Sequence, residues 1–157
     1  HDPGQSARVA QRSARDIVEM YQVRAMLEML ACGLAAKRCT DANVDRLRSI
    51  VRRGRQAAES ADWKAVGQAN ADFHHLIAEL SGNGYLVEQI ARFRHRLAWM
   101  HDASAEHRGI RAWEEHEQVV DLLERRDTEM AELAGRGHVE GAIAVFMDHY
   151  LAGFITL

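Results

Sequence analysis

Residues 62–84, DWKAVGQANADFHHLIAELSGNG, decide how this chain folds. At about 100° per residue, Val66, Phe73, Ile77 and Leu80 fall on one stripe of a helix. Asp62 stands at its head, and Ser81-Gly82-Asn83-Gly84 is a strong breaker at its end. Asn70 lies inside the apolar stripe and His74 at its edge, while His75 points to the opposite side. Residues four apart share one side of a helix, so Asn70 and His74 reach the same point in space. Two polar groups in one apolar place need partners. A hydrogen-bonded core histidine is one account of them. The other is a metal site, because neutral imidazole is the commonest protein ligand for transition metals and an amide oxygen can complete the set.

Helical periodicity extends in both directions from this segment, and no stretch alternates with period two for long enough to argue a strand. A first helix is expected over about residues 14–37, with Ile17, Met20, Tyr21, Leu27, Leu34 and Ala35 on its apolar stripe. Thr40 is a plausible N-cap for a second helix reaching about Ser60. Its arginines, Arg46, Arg48, Arg52, Arg53 and Arg55, read as a solvated face in preference to a phosphate-binding one. A fourth helix is expected over about residues 85–100, then a polar loop from His101 to Gly109, then a fifth helix over about residues 112–125. Asp127 can cap the last helix, with Glu129 well placed in its first turn. Short connections make neighbours antiparallel, so the expected fold is an all-α antiparallel bundle of six or seven helices.

Two further histidines lie on apolar faces. His116 sits amid Trp113, Val119, Val120 and Leu123, and His138 shares a face with Ala131, Ala134, Ala142 and Val145. The turn near Arg126 is about midway between them, so an antiparallel hairpin brings both to one level. His149 is a rival to His138, eleven residues later on nearly the same face; only the hairpin geometry favours His138. Three histidines plus an oxygen would leave a coordination shell open to water or a small anion. His1, His95, His101 and His107 lie in polar or terminal contexts and read as surface residues.

Arg24 and Glu28 project from the centre of the first helix's apolar stripe. Burying a charge is costly unless it is paired. Either the two neutralise each other four residues apart, or Arg24 faces a cavity and binds a carboxylate, as a guanidinium does with two parallel hydrogen bonds. No Gly-rich loop, HExxH or CxxC is present. A di-iron bundle needs Glu three residues before its histidines, and the residues there are Ala71, Trp113, Gly135 and Phe146.

The chain's 157 residues suit one domain, and 47% hydrophobic with 27% charged residues is ordinary for a globular protein. A net charge of −3 leaves no basic footprint for nucleic acid. No apolar run is long enough for a membrane span, and no signal-peptide core opens the chain. Residues 1–10 are polar and aperiodic and read as a linker or an expression remnant. Cys32 and Cys39 are two helical turns apart, about 11 Å, too far to bond. Both read as small buried hydrophobes in a reducing compartment.

Taken in order, Val23-Arg24-Ala25-Met26-Leu27-Glu28, Leu34-Ala35-Ala36, Asn70-Ala71-Asp72-Phe73-His74, Ser81-Gly82-Asn83, Glu115-His116, Leu122-Leu123, Asp127 and His138-Val139 resemble the ligand-binding FCD domain of GntR-type bacterial transcription regulators. The resemblance spans nearly the whole chain and assigns residues 11–157 to such a domain. It implies a divalent metal, zinc first with nickel or manganese as alternatives, held by Asn70, His74, His116 and His138, with His149 as the alternative fourth ligand. It implies a small organic acid as effector, with Arg24, Glu28 and Asn83 as its contacts. Many members carry Asp where this chain has Asn70; one less negative charge should weaken the site and leave the metal more electrophilic toward a carboxylate. The resemblance further implies a cytoplasmic homodimer that reaches DNA through a winged helix-turn-helix upstream of His1, and a regulator instead of an enzyme. The competing reading is a metal-dependent helical-bundle enzyme for a small carboxylate or carbonyl compound, which would need a general base beside the metal from Glu28, Glu115 or Asp72.

Overall fold

The computed structural model describes residues 14–151, so the linker expected at residues 1–10 lies outside the described residues. Five α-helices follow one another: α1 (Ala14–Arg38), α2 (Asp41–Glu59), α3 (Trp63–Leu80), α4 (Gly84–Glu124) and α5 (Thr128–Phe146). A π-helical turn, Met147–Leu151, closes the described chain. There is no strand among the described residues, and the architecture is the expected all-α bundle.

Local chemistry sets the helix boundaries. Thr40 and Asn43 form a reciprocal capping box at the head of α2, and Asp62, Asn83 and Asp127 cap α3, α4 and α5 through their side-chain oxygens. The ends of α2 and α4 close with left-handed residues, Ala61 (φ 55°) and Arg126 (φ 56°). In each case the next amide reaches back to the helix, Asp62 N to Ala57 O at 2.9 Å and Asp127 N to Leu122 O at 3.0 Å. These bonds satisfy carbonyls that a helix end otherwise leaves bare.

The fourth helix corrects the expected loop. Residues 101–109 continue the helix, and the interruption is a single residue, Gly109, with φ 40° and ψ −133°. Only glycine holds such a backbone without strain. A bend at one residue in place of a nine-residue loop leaves α4 as two arms, 84–108 and 110–124. The arginines of α2 are also less free than expected. Arg48 bonds Asp121 at 2.9 Å and Glu124 at 2.7 Å, Arg55 bonds Glu117 at 2.8 Å, and Arg53 pairs with Asp72. They tie α2 to the second arm of α4 and to α3.

Helices α1 and α5 run antiparallel in the most extensive contact of the bundle. A Cβ at Gly135 would stand 2.6 Å from Cys32 Sγ and 3.2 Å from the Glu28 carbonyl oxygen, so the absent side chain is what lets the two helices meet. Cys32 and Cys39 are both buried and free. The apolar interior divides in two. The larger cluster joins Ala31, Leu47, Phe73, Ile77, Trp113, Leu123 and Ala131, and the smaller joins Ile17, Tyr21, Leu97, Met100, Val139 and Phe146. Along α1, Glu28 falls between the two clusters, with Arg24 inside the end of the smaller one beside Ala25; along α5, Gly135 and His138 fall between them. The polar site occupies that seam.

Candidate metal centre and its polar surroundings

Three helices each deliver one imidazole to the seam: His74 from α3, His116 from the second arm of α4, and His138 from α5. All three are buried, and one nitrogen of each lies within 4.8 Å of the others. His116 Nε2 and His138 Nε2 are 3.2 Å apart. Phe73 and Trp113 wall the cluster, with the Phe73 ring 4.1 Å from that of His116 and the Trp113 ring 4.8 Å from it. The hollow between the imidazoles, lined also by Glu28, Cys32 and Gly135, has a free volume of about 10 Å³. That is room for an ion or at most a single water.

The outer nitrogens decide which tautomers face inward. His74 Nδ1 lies 3.2 Å from Glu28 Oε2, and His138 Nδ1 lies 2.9 Å from Glu115 Oε2. An ionised carboxylate only accepts, so each Nδ1 must carry the hydrogen and donate it. Each Nε2 is thereby left with a lone pair directed inward. His74 Nε2 and His116 Nδ1 are buried without a hydrogen-bond partner among the described residues. Burial, with the charges of His138, His74, Arg108 and Arg24 adding to it, holds the His116 imidazole well below its ordinary value near 6.5. No carboxylate fixes the His116 tautomer: with its hydrogen on Nε2 it donates to His138 Nε2, and with the hydrogen on Nδ1 two lone pairs face each other 3.2 Å apart, an arrangement that a cation between them would relieve. The donor set therefore fits a divalent metal: neutral nitrogens, two of them oriented by carboxylates in the carboxylate–histidine–metal pattern. His74, His116 and His138, with their ligand nitrogens all within 4.8 Å of one another, would hold the ion.

Asn70 is half-buried one turn before His74. It lines a second cleft, between α3, the bend of α4 and α5, together with Arg108, Gly109, Trp113 and His138. His149, the alternative fourth ligand, is not with the cluster. It is exposed, its Nδ1 meets the Val145 carbonyl oxygen at 3.0 Å, and its ring stacks on His107 at 4.2 Å. The π-turn carries it past the seam, which only the level of the hairpin had argued. His75 is exposed and pairs with Glu79 at 3.3 Å.

The expected effector contacts take up different positions. Arg24 is buried, with its Nε 3.5 Å from Glu28 Oε1 and its guanidinium 5.8 Å from the centre of the Tyr21 ring. Glu28 bridges Arg24 and His74. Burial alone would raise its pKa, yet His74 and Arg24 together hold it below the ordinary 4.5, so it is ionised. Asn83 serves the α4 cap, its Oδ1 accepting from Tyr85 N at 3.1 Å and Leu86 N at 3.3 Å, and it lines neither cleft at the histidines. Arg108 was missed. It is buried, donates from Nη2 to Glu115 Oε2 at 2.6 Å, and stands 3.2 Å from His138 Nδ1. Its place inside a supposed polar loop hid it; Gly109 directly after it was the available signal of a sharp bend. Asp72, a possible base for the enzyme reading, is spent on Arg53 and Gln68.

The family model described as the FCD domain matches residues 19–141. The chain is 29% identical over 133 residues to a probable D-xylose utilization operon transcriptional repressor of Paenarthrobacter nicotinovorans, covering 84% of this chain and 58% of that protein. It is 27% identical over 135 residues to the HTH-type transcriptional repressor NanR of Cronobacter sakazakii, covering 83% of this chain and 51% of that one. It thus spans little more than half the length of these relatives. Among solved structures, E. coli McbR/YncC matches with a TM-score of 0.80 at 21% identity, over 88% of this chain and 67% of that one, a likeness of fold.

Proposed function

This chain belongs to the FCD domain family, and on that premise we propose that it is the effector-sensing part of a transcription regulator, built around a divalent metal. The relatives are transcriptional repressors, not enzymes, and the chain is accordingly assigned to regulation and not to catalysis. In this reading His74, His116, His138 and Asn70 hold the ion, with zinc suiting an all-nitrogen-and-oxygen set and nickel or manganese also tolerated. The metal would supply a Lewis-acidic point to which a small organic acid can coordinate. Arg24 and Arg108 supply the buried positive charge around it. The observation that carries the reading is the convergence of three buried imidazoles, two of them with their outer nitrogens fixed by carboxylates.

The rest of the reading concerns the whole regulator. A ligand can switch DNA binding only by favouring one conformation over another. The expected DNA-binding part lies upstream, and the regulator would act as a cytoplasmic homodimer. No described helix is long and apolar enough to cross a membrane. Large exposed apolar residues, Val23, Met26 and Leu30 on α1 with Met130 and Leu133 on α5, supply surface that pairing of two copies would cover.

Chelation tests the metal half of the proposal. A bound ion contributes to folding free energy, so dialysis against a chelator should lower the melting temperature, and zinc returned in slight excess should restore it. Identical melting curves in all three states would contradict the proposal.

A further inference from the structure

We propose that Arg108 is the seat of the effector's carboxylate, and that Glu115 occupies that seat while no effector is bound. The inference rests on the acid-sensing reading above and names the residues that carry it. Two buried arginines compete for the role. Arg24 is paired with Glu28, whose side chain is 2% exposed and has no route outward, and it lines neither cleft at the histidines. Arg108 lines the cleft shared with Asn70 and His138. Its partner Glu115 is 23% exposed, and the other oxygen of that carboxylate already lies 3.5 Å from the Nε of Arg111, a side chain 80% exposed. Glu115 can leave Arg108 and remain paired at the surface.

The contacts of Glu115 are those an acid ligand would make. One oxygen takes both the Arg108 guanidinium, at 2.6 Å, and the His138 Nδ1–H, at 2.9 Å. A free carboxylate arriving in the cleft can accept the same two donors, and Arg offers it the two-pronged geometry that suits carboxylates. The cleft has a free volume of about 40 Å³, room for about three waters at ~10–15 Å³ each. Glu115 Oε2 holds both donors, so an organic acid takes them only as that carboxylate withdraws. The neighbouring walls, Ala112, Trp113 and Ala142, are apolar, which favours a short acid of few carbons.

The exchange has a consequence for shape. Arg108 ends the first arm of α4 and Glu115 belongs to the second, with the bend at Gly109 between them. The Arg108–Glu115 pair ties one arm to the other across that bend. A carboxylate that replaces Glu115 removes the tie, so the ligand binds better to the state in which the arms are free to reorient.

The test is calorimetric titration of the zinc-loaded chain with acetate, lactate, malate and citrate, followed by variants titrated with whichever binds most tightly. Glu115→Gln keeps an acceptor for His138 but removes the competing charge; it should bind about tenfold more tightly, a gain that misfolding cannot produce. Arg108→Lys keeps the charge but not the fork and should bind at least about tenfold more weakly, with zinc content unchanged. If the wild type binds an acid and Glu115→Gln binds it no better, or Arg108→Lys binds it equally well, the proposal is overturned and acid sensing stands. Loss confined to Arg24→Lys also overturns it, in favour of the first helix. Silence of all four acids toward wild type and Glu115→Gln alike overturns both this inference and the acid-sensing reading.

Discussion

Each imidazole of the cluster is steered by what its outer nitrogen meets: Glu28 for His74, Glu115 for His138, and for His116 no hydrogen-bond partner among the described residues. Such a set is costly without a cation, and acid should expose that cost. The folded-state value of His116 lies below its ordinary 6.5, so the unfolded chain takes up a proton first as pH falls. Its contribution is therefore intact above about pH 6.5 and is lost as pH falls toward the folded value. Glu28, held below 4.5, adds the same sign of loss further down. Metal-free protein should thus lose melting temperature progressively below pH 6.5; a flat profile from pH 7 to pH 5 would contradict the buried-neutral assignment of His116. The pair on α1 gives a second test. Arg24→Ala leaves Glu28 with His74 alone and should cost about 3–5 kcal/mol by urea unfolding, and adding Glu28→Gln should recover much of it. An Arg24→Ala variant as stable as wild type would show that Arg24 does not neutralise Glu28.

At the scale of elements, the sequence was legible wherever a helix ended by local chemistry. Thr40 and Asp127 could be read as caps because capping needs only neighbours within three residues. The bend of α4 could not be read this way: polar residues 101–108 look like a loop, and the burial of Arg108 against His138 and Glu115 is a tertiary contact that no local pattern announces. His149 was similarly ambiguous, since face angle alone cannot register a π-turn. Gly135, odd within a helix by propensity, is explained by contact with α1. Gly135→Ala should force α1 and α5 apart and cost about 1–3 kcal/mol. Removing the obstructing sulfur with Cys32→Ala should return part of that loss in the double variant. Additive losses in the two variants would mean that the glycine is not there for the approach of Cys32.

Across the whole molecule, two apolar clusters grip the ends of the bundle and leave a polar seam between them. The periodicity of six segments, two of which join as α4, sufficed to read the bundle, because helix faces are a one-dimensional property. Which faces meet is not, and so Glu28 was read as an effector contact although it fastens His74, and Arg108 went unseen. The central claim is that His74, His116 and His138 jointly hold one divalent ion. Elemental analysis of protein prepared without added metal tests it most directly, on wild type and on single alanine variants at His74, His116, His138, His75 and His149. The account predicts about one metal per chain in wild type, His75→Ala and His149→Ala, and loss of that metal in the three buried-site variants. Equal metal content in all six proteins, or loss in His149→Ala with retention in His138→Ala, would contradict it.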